Sequence, residues 1–380
     1  MIYLDNNATT RLYRSVFHKQ CEVLNRFFGN PSSLYPAGVE MKSMVETARK
    51  QVASLINANL LGGDTILFTS CATESNNAVL HSAMHPSNLG KHIVISAVEH
   101  PAISVTADYY ERIGSKVTRI GVDTDGNLQL DELRSAITDE TVLVSIMYVN
   151  SETGVIHDIP NVVRIVKEIR KDIIVHTDAV QAAGKIPIDV QALGVDMLTL
   201  SGHKFHAPKG VGVLYIKKGV PFVPFMMGGH QESNLRAGTE NTASIVALGE
   251  AAAMTQKEMD SGSVDRIRQL REFMEAELKN SYPESIIFGE KTSRVCNTTN
   301  IGFRNVLGHK LVLQLAQKGI YVSSGTACNS ESTKPSKVLM AMNASSEYIS
   351  SIRISLDCYN TEKDVSDLLI ALEGILGRRK

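Results

Sequence analysis

Several features are scarce in this 380-residue chain, and each scarcity removes a class of function. No apolar run approaches the roughly 20 residues that a membrane-crossing helix needs. Met1 leads directly into Ile2-Tyr3-Leu4-Asp5, with neither the basic start nor the apolar stretch of a secretory signal. Excess charge of one sign is missing too. Lys and Arg number 39 against 40 Asp and Glu, net −1, and the one basic block is the terminal Arg378-Arg379-Lys380. Neither a membrane nor nucleic acid is therefore expected as a direct partner. The glycine-rich signatures of nucleotide-binding α/β folds, G-x-G-x-x-G and G-x-x-x-x-G-K-[ST], are absent. The cysteines are Cys21, Cys71, Cys296, Cys328 and Cys358, an odd number without C-x-x-C spacing. That speaks against a disulfide framework and against a zinc site, so no metal is expected. The expectation is a cytoplasmic protein. Its 43% hydrophobic and 21% charged residues are ordinary for a soluble chain, and its length argues for two domains.

What is present is an alternation of strand and helix patterns. Val- and Ile-rich segments of strand length recur at Thr65–Thr69, His92–Ala97, Lys116–Gly121, Thr141–Val149, Ile173–Thr177, Val195–Leu200 and Val211–Ile216. Helical patterns lie between most of them, as at Pro101–Ile113, Asp131–Ile137 and Pro160–Arg170. This order predicts an α/β fold with a mainly parallel seven-stranded sheet covered on both faces. After Ile216 the pattern changes. A glycine-rich polar stretch over 226–242 leads to a helix at Ala243–Met259, and Asp260-Ser261-Gly262-Ser263 marks a boundary. A helix with the apolar stripe Val264, Ile267, Leu270, Phe273, Met274 and Leu278 then opens a smaller α+β unit, which ends in the helix Glu362–Leu376. The expected division is a large domain over 15–259 and a small α+β domain built from 1–14 and 260–380.

Polar clusters fall at the ends of the strands. Ser201-Gly202-His203-Lys204 directly follows Val195–Leu200. A lysine there sits where open α/β sheets bind ligands, and partial desolvation would make its amine a Schiff-base nucleophile. Taken alone, the segment also fits a solvated loop lysine. Ser70-Cys71-Ala72-Thr73-Glu74-Ser75 joins a strand to a helix, so its amides and the Thr73 hydroxyl either bind a phosphate or form a plain capping box. His176-Thr177-Asp178-Ala179-Val180-Gln181 ends another strand. A carboxylate there can pair with a protonated ring nitrogen, and Gln181 can reach a ring hydroxyl. His100 opens a helix, with a backbone-bonded cap as its plain alternative. Asp178 and Lys204 are separated by one strand–connection–strand unit, which places both on one sheet edge. A carboxylate, a Schiff-base lysine and a phosphate cup are the protein parts that pyridoxal phosphate needs.

Further segments complete a pattern: Tyr3-Leu4-Asp5-Asn6-Asn7-Ala8-Thr9-Thr10, Gly29-Asn30-Pro31-Ser32-Ser33, Glu99-His100, Arg236-Ala237-Gly238-Thr239 and Ser323-Ser324-Gly325-Thr326-Ala327-Cys328. Taken in order over essentially the whole chain, they resemble the NifS/IscS-like cysteine desulfurases of the class-V aminotransferase family. The resemblance implies the pyridoxal-phosphate-dependent transferase fold type I, aspartate aminotransferase-like, and a homodimer with active sites at the subunit interface. It implies that Lys204 holds pyridoxal 5'-phosphate as a Schiff base and later moves a proton. Asp178 would keep the ring nitrogen protonated, His100 would stack on the ring and assist proton transfer, and Gln181 would bond the ring oxygen. Ala72, Thr73, Ser201 and His203 would form the phosphate cup, joined by Thr239 of the other subunit. Asn150, beside the cofactor, would hold the carboxylate of L-cysteine together with Arg353. Cys328 would attack the substrate sulfur, giving alanine and an enzyme persulfide for a sulfur-acceptor protein such as an iron–sulfur scaffold. The chain departs from the family pattern at Tyr35, Ser151, Ala207 and Ala237, where His, Asn, Gly and Ser are usual. Cys71 is expected to be a packed thiol, and Cys21, Cys296 and Cys358 structural ones. Two other readings remain: selenocysteine lyase on the same scaffold, and a non-catalytic scaffold that binds partners.

Overall fold

The computed structural model describes residues 1–324 and 336–377. Seven strands form one sheet, in the spatial order Thr65–Thr69, Gly212–Ile216, Met197–Ser201, Ile174–Asp178, Thr141–Ser145, His92–Ser96 and Lys116–Ile120. All run parallel except Gly212–Ile216, which is antiparallel to both neighbours. Successive side chains of a strand point to opposite faces. Ile66, Phe68, Val94, Val144, Leu198 and Val213 accordingly enter one core. Leu67, Ile93, Ile95, Leu143, Met197 and Leu214 enter another. The helices Pro36–Leu55, Ile159–Ile169 and Thr242–Asp260 cover the first face, and Ala72–Ala83 and Pro101–Arg112 cover the second. Burial on both faces is why these strands are apolar runs rather than half-polar alternations.

Local signals set the helix limits. At Ile159–Ile169 the Asp158 carboxylate accepts from the Asn161 N–H at 3.2 Å, and Pro160 occupies the first turn, where its missing N–H costs nothing. Ile159, Val162, Ile165 and Val166 form its buried stripe. The largest shortfall among the expected strands is at the fourth. Thr141–Val149 ends at Ser145, because the chain turns back at Asn150, whose Oδ1 accepts from the Glu152 and Thr153 N–H groups at 2.9 and 3.0 Å. Val149 then bridges to Ile156 rather than extending the sheet.

A separate core gathers Leu4, Ile267, Leu270, Met274, Ile301 and Leu368. Around it lie the antiparallel strands Ser323–Ser324, Ile352–Ser355, Thr298–Gly302 and Ile286–Ile287, with the helices Ser263–Ser281, Gly308–Gln317 and Glu362–Leu376. The first strand, Ile2–Tyr3, pairs in parallel with Ile320–Tyr321, so the start of the chain folds together with its last third. Among the described residues no helix is long and apolar enough to cross a membrane.

Candidate active site

The polar clusters leave the large sheet at one edge, the C-terminal ends of its parallel strands, where open α/β sheets place ligands. Asp178 is the last residue of its strand and is buried; Asn76 Nδ2 donates to its carboxylate at 2.7 Å and the Val180 N–H at 3.0 Å. Its register partner on the next strand is Thr199, and that strand runs through Ser201 into the short 3-10 turn Gly202–Lys204. Lys204 is half-buried, and its Nζ donates to the backbone carbonyls of Asn7 at 2.6 Å and Ala8 at 2.9 Å. His100 lies within electrostatic reach of both. Burial holds its ring below the ordinary histidine range, while Asp178 opposes that shift and Lys204 reinforces it. His100 caps its helix, with Nδ1 accepting from the Ala102 N–H at 3.1 Å. This bond assigns the proton of the neutral ring to Nε2. The plain capping alternative is thus realised, and it orients the imidazole at the same time.

The start of the helix Ala72–Ala83 lies beside these groups. The helix Ala72–Ala83 starts directly after Thr65–Thr69, and Cys71 makes no side-chain cap, so the capping box does not form. Glu74 turns aside to accept from the Ser70 N–H at 2.7 Å and to pair with Arg236 at 2.9 Å. Thr73 is exposed and Ser201 buried. Gly212, beside Ser201, permits the close approach of strand to helix start: a Cβ there would stand 2.6 Å from the Cys71 carbonyl carbon. His203 Nδ1 lies 3.2 Å from Thr9 Oγ1. Burial, then Lys204 and Lys209, bring its pKa down to about 4, so near pH 7 it offers a neutral ring. A helix start with such neighbours suits a phosphate.

Three residues that sequence reasoning missed hold this arrangement: Asn7, Asn76 and Lys185. The Asn7 carbonyl accepts from Lys204 and from Gln181 Nε2 at 2.9 Å, while its side chain accepts from Lys185 Nζ at 2.9 Å and from Asn297 Nδ2 at 3.2 Å. Lys185 is buried and also donates to Gln181 Oε1. Burial, reinforced by Lys204, lowers its pKa to about 7. The polar turn at Asn7 was visible in the sequence, but nothing local marks its partners.

The remaining expected groups are placed as follows. Arg353 is buried in its strand, with Nη1 donating to the Ser151 carbonyl at 2.9 Å and Nη2 to Asp5 at 2.7 Å, while Nε has no partner among the described residues. Asn150 is buried, and its amide is taken up by its own turn and by the Val98 carbonyl at 3.4 Å. Both groups therefore bond the chain itself, and a substrate carboxylate would have to take the place of Asp5. Thr239 is exposed and lines a separate cavity of about 150 Å³ with Ser70, Gly210 and Arg236. Cys328 lies outside the described residues. Cys21, expected to be structural, is exposed, because its helix turns Val16 and Val23 inward instead. Cys296 is buried, whereas Cys71 and Cys358 are half-buried.

Known proteins resemble this chain over nearly its whole length. A family model for the class-V aminotransferases matches residues 2–368. The chain is 44% identical to cysteine desulfurase 2 of Trichormus variabilis, over 100% of its own length and 94% of that protein. Among solved structures, a NifS-like protein superposes with a TM-score of 0.91 at 37% identity, covering 99% of both chains. SspA in complex with cysteine superposes with a TM-score of 0.82 at 30% identity, covering 95% of this chain and 100% of that one.

Proposed function

The chain belongs to the class-V aminotransferase family, with cysteine desulfurases among its relatives, and on that premise we propose that it converts L-cysteine to L-alanine and holds the sulfur as a persulfide on Cys328. It is a cysteine desulfurase of the pyridoxal-phosphate-dependent fold type I. The observation that carries this reading is the placement of Lys204 and Asp178 at the same edge of adjacent parallel strands, with His100 in reach of both.

The residues present fit the cofactor: a lysine amine, a fixed buried carboxylate, and an uncapped helix start beside a neutral histidine. When bound, pyridoxal phosphate supplies a carbonyl carbon for an amine and a sink for electrons released at the substrate. Lys204 anchors it and moves a proton at Nζ. Asp178, oriented by Asn76, favours the proton on the ring nitrogen through its charge. His100 carries its mobile proton on Nε2, and Gln181, braced by Asn7 and Lys185, meets the ring oxygen. Ala72, Thr73, Ser201 and His203 hold the phosphate. The Cys328 thiolate attacks the substrate sulfur: the carbon–sulfur bond breaks, a sulfur–sulfur bond forms, and the carbon takes up a proton to leave as alanine. The direct check is the purified holoenzyme with L-cysteine and a thiol reductant, which should release alanine and sulfide in equal amounts. Absence of alanine would sink the reading.

Asn150 and Arg353 bind the substrate carboxylate. Arg353→Ala should raise KM for cysteine by about 10- to 150-fold, the scale of a charged hydrogen bond worth roughly 1.5–3 kcal/mol. Cofactor content should hold. An unchanged KM would leave Arg353 as no more than the tie between Asp5 and Ser151.

Thr239 completes the phosphate cup from a second copy of the chain. In support, large apolar side chains are exposed over one stretch: Phe28, Leu34, Tyr35 and Val39. A dimer by light scattering is expected, as is partial rescue of activity on mixing Thr239→Ala and Lys204→Ala subunits, since one site of the mixed dimer carries neither lesion. A monomeric, fully active protein would refute it. The reading places the enzyme in the cytoplasm, with the sulfur passing to an acceptor protein of iron–sulfur cluster assembly. It divides the chain into a cofactor domain over 15–259 and a smaller domain from 1–14 and 260–380.

A further inference from the structure

The spacing of the cysteines offers no metal motif, yet folding assembles a ligand set. His206, two residues beyond Lys204, lies against Asp357 and Cys358, which follow the strand Ile352–Ser355. Among the described residues these three form the one such group of His, Cys, Asp or Glu, with their ligand atoms all within 4.8 Å of one another. His206 is 6% exposed and Asp357 8%. This is a built site rather than a surface coincidence.

The His206 ring is held on several sides. Its backbone N–H donates to Thr10 Oγ1 at 2.8 Å, its Nδ1 donates to the Arg11 carbonyl at 2.7 Å, and it stacks on Tyr13 with centroids 4.0 Å apart. Its φ of +68° is uncommon for a residue with a Cβ and persists only where surrounding contacts impose it. The bond to Arg11 keeps the proton of the neutral ring on Nδ1. Nε2 then presents a bare lone pair to Asp357 Oδ1 at 3.3 Å. Oδ1 also accepts from the Cys358 N–H at 2.7 Å, and a second proton on the ring or a cation bound by both side chains would turn the remaining contact with Nε2 into an attraction. The separation is close to the edge of a tetrahedron whose nitrogen and oxygen ligands stand about 2.0–2.1 Å from a zinc ion.

The site has room for a cation. A cavity of about 30 Å³, lined by His206, Asp357, Cys358, Tyr13 and Glu258, has the volume for one ion with a water. Lys185 and Lys204 line the same cavity, and Arg266 bonds the Cys358 carbonyl. On binding a divalent ion the Cys358 proton is released to solvent, and thiolate and carboxylate together balance the two positive charges.

We propose that His206 Nε2, Asp357 and Cys358 Sγ form a binding site for a divalent ion of the zinc class, with water as fourth ligand. One nitrogen, one oxygen and one thiolate sulfur select zinc, or cobalt(II) as its surrogate, over magnesium or calcium. The site pins the turn that carries Lys204 to the turn that follows Arg353. Its role is structural, and it does not depend on the reaction proposed above.

The test uses full-length holoenzyme carrying Cys328→Ser and Cys71→Ser, so that neither of those thiols contributes. Titration with cobalt(II) should saturate at one ion per chain, with the intense long-wavelength visible bands of tetrahedral cobalt, clear of the cofactor's absorption. Zinc should displace them. Adding Cys358→Ser should abolish the bands, and so should Asp357→Asn, which keeps the shape of the turn and decides the matter if the cysteine variant does not fold. Zinc should also raise the Tm of the parent but not of either variant. Failure of the parent to bind one cobalt, or tetrahedral bands that survive both substitutions, would overturn the site and leave His206 and Asp357 as a contact that holds no ion.

Discussion

Lys204→Ala protein should purify without the visible absorption of bound cofactor and should lose cysteine turnover by several orders of magnitude. Removing a covalent catalytic group typically costs that much, because the remaining groups act only in concert with it. The fold should survive. Lys204 contributes two charged hydrogen bonds, to the Asn7 and Ala8 carbonyls, worth roughly 1.5–3 kcal/mol each. The N-terminal turn keeps its other ties, since Gln181, Lys185 and Asn297 still bond Asn7. Absorption spectra, a turnover assay and a thermal melt on the same preparation separate lost chemistry from lost folding. Retained absorption together with normal turnover would remove Lys204 from the site.

Cys328→Ser should fail at a later stage. The variant should keep its cofactor and still change its spectrum on addition of cysteine, because the Lys204 chemistry precedes sulfur transfer. It should form no alanine, release no sulfide and carry no persulfide by mass spectrometry. A serine hydroxyl is not ionised near neutral pH, and it cannot hold a second sulfur. Substitution by another thiol is the one serious complication. Cys296 is buried, and burial pushes its pKa up to about 11. Cys358 is held protonated by burial and Asp357. Cys21 is exposed on its helix, whereas Cys71 is half-buried directly before the helix Ala72–Ala83. The decisive protein therefore combines Cys328→Ser with Cys71→Ser. Substantial sulfide production by it would place the nucleophile elsewhere.

What the sequence determined by itself is local and periodic. Apolar strands, such as Ile66-Leu67-Phe68 with residues for both faces, announced a sheet buried on two sides. Polar clusters after Thr69, Asp178 and Ser201 announced where the strands end, and parallel connectivity then put Asp178 and Lys204 at one edge. What only the tertiary structure decided is who meets whom across the chain. Lys204 finds its carbonyl partner 197 residues away at Asn7, and Arg353 finds Asp5 at a separation of 348. These meetings follow from the pairing of Ile2–Tyr3 with Ile320–Tyr321, two-residue strands too short to carry a periodic signal. The same closure sets Asp357 and Cys358 against His206, turning a thiol that looked merely structural into part of a ligand set. A short polar residue has no period and no face of its own, so its role appears only once the two ends of the chain have folded onto each other.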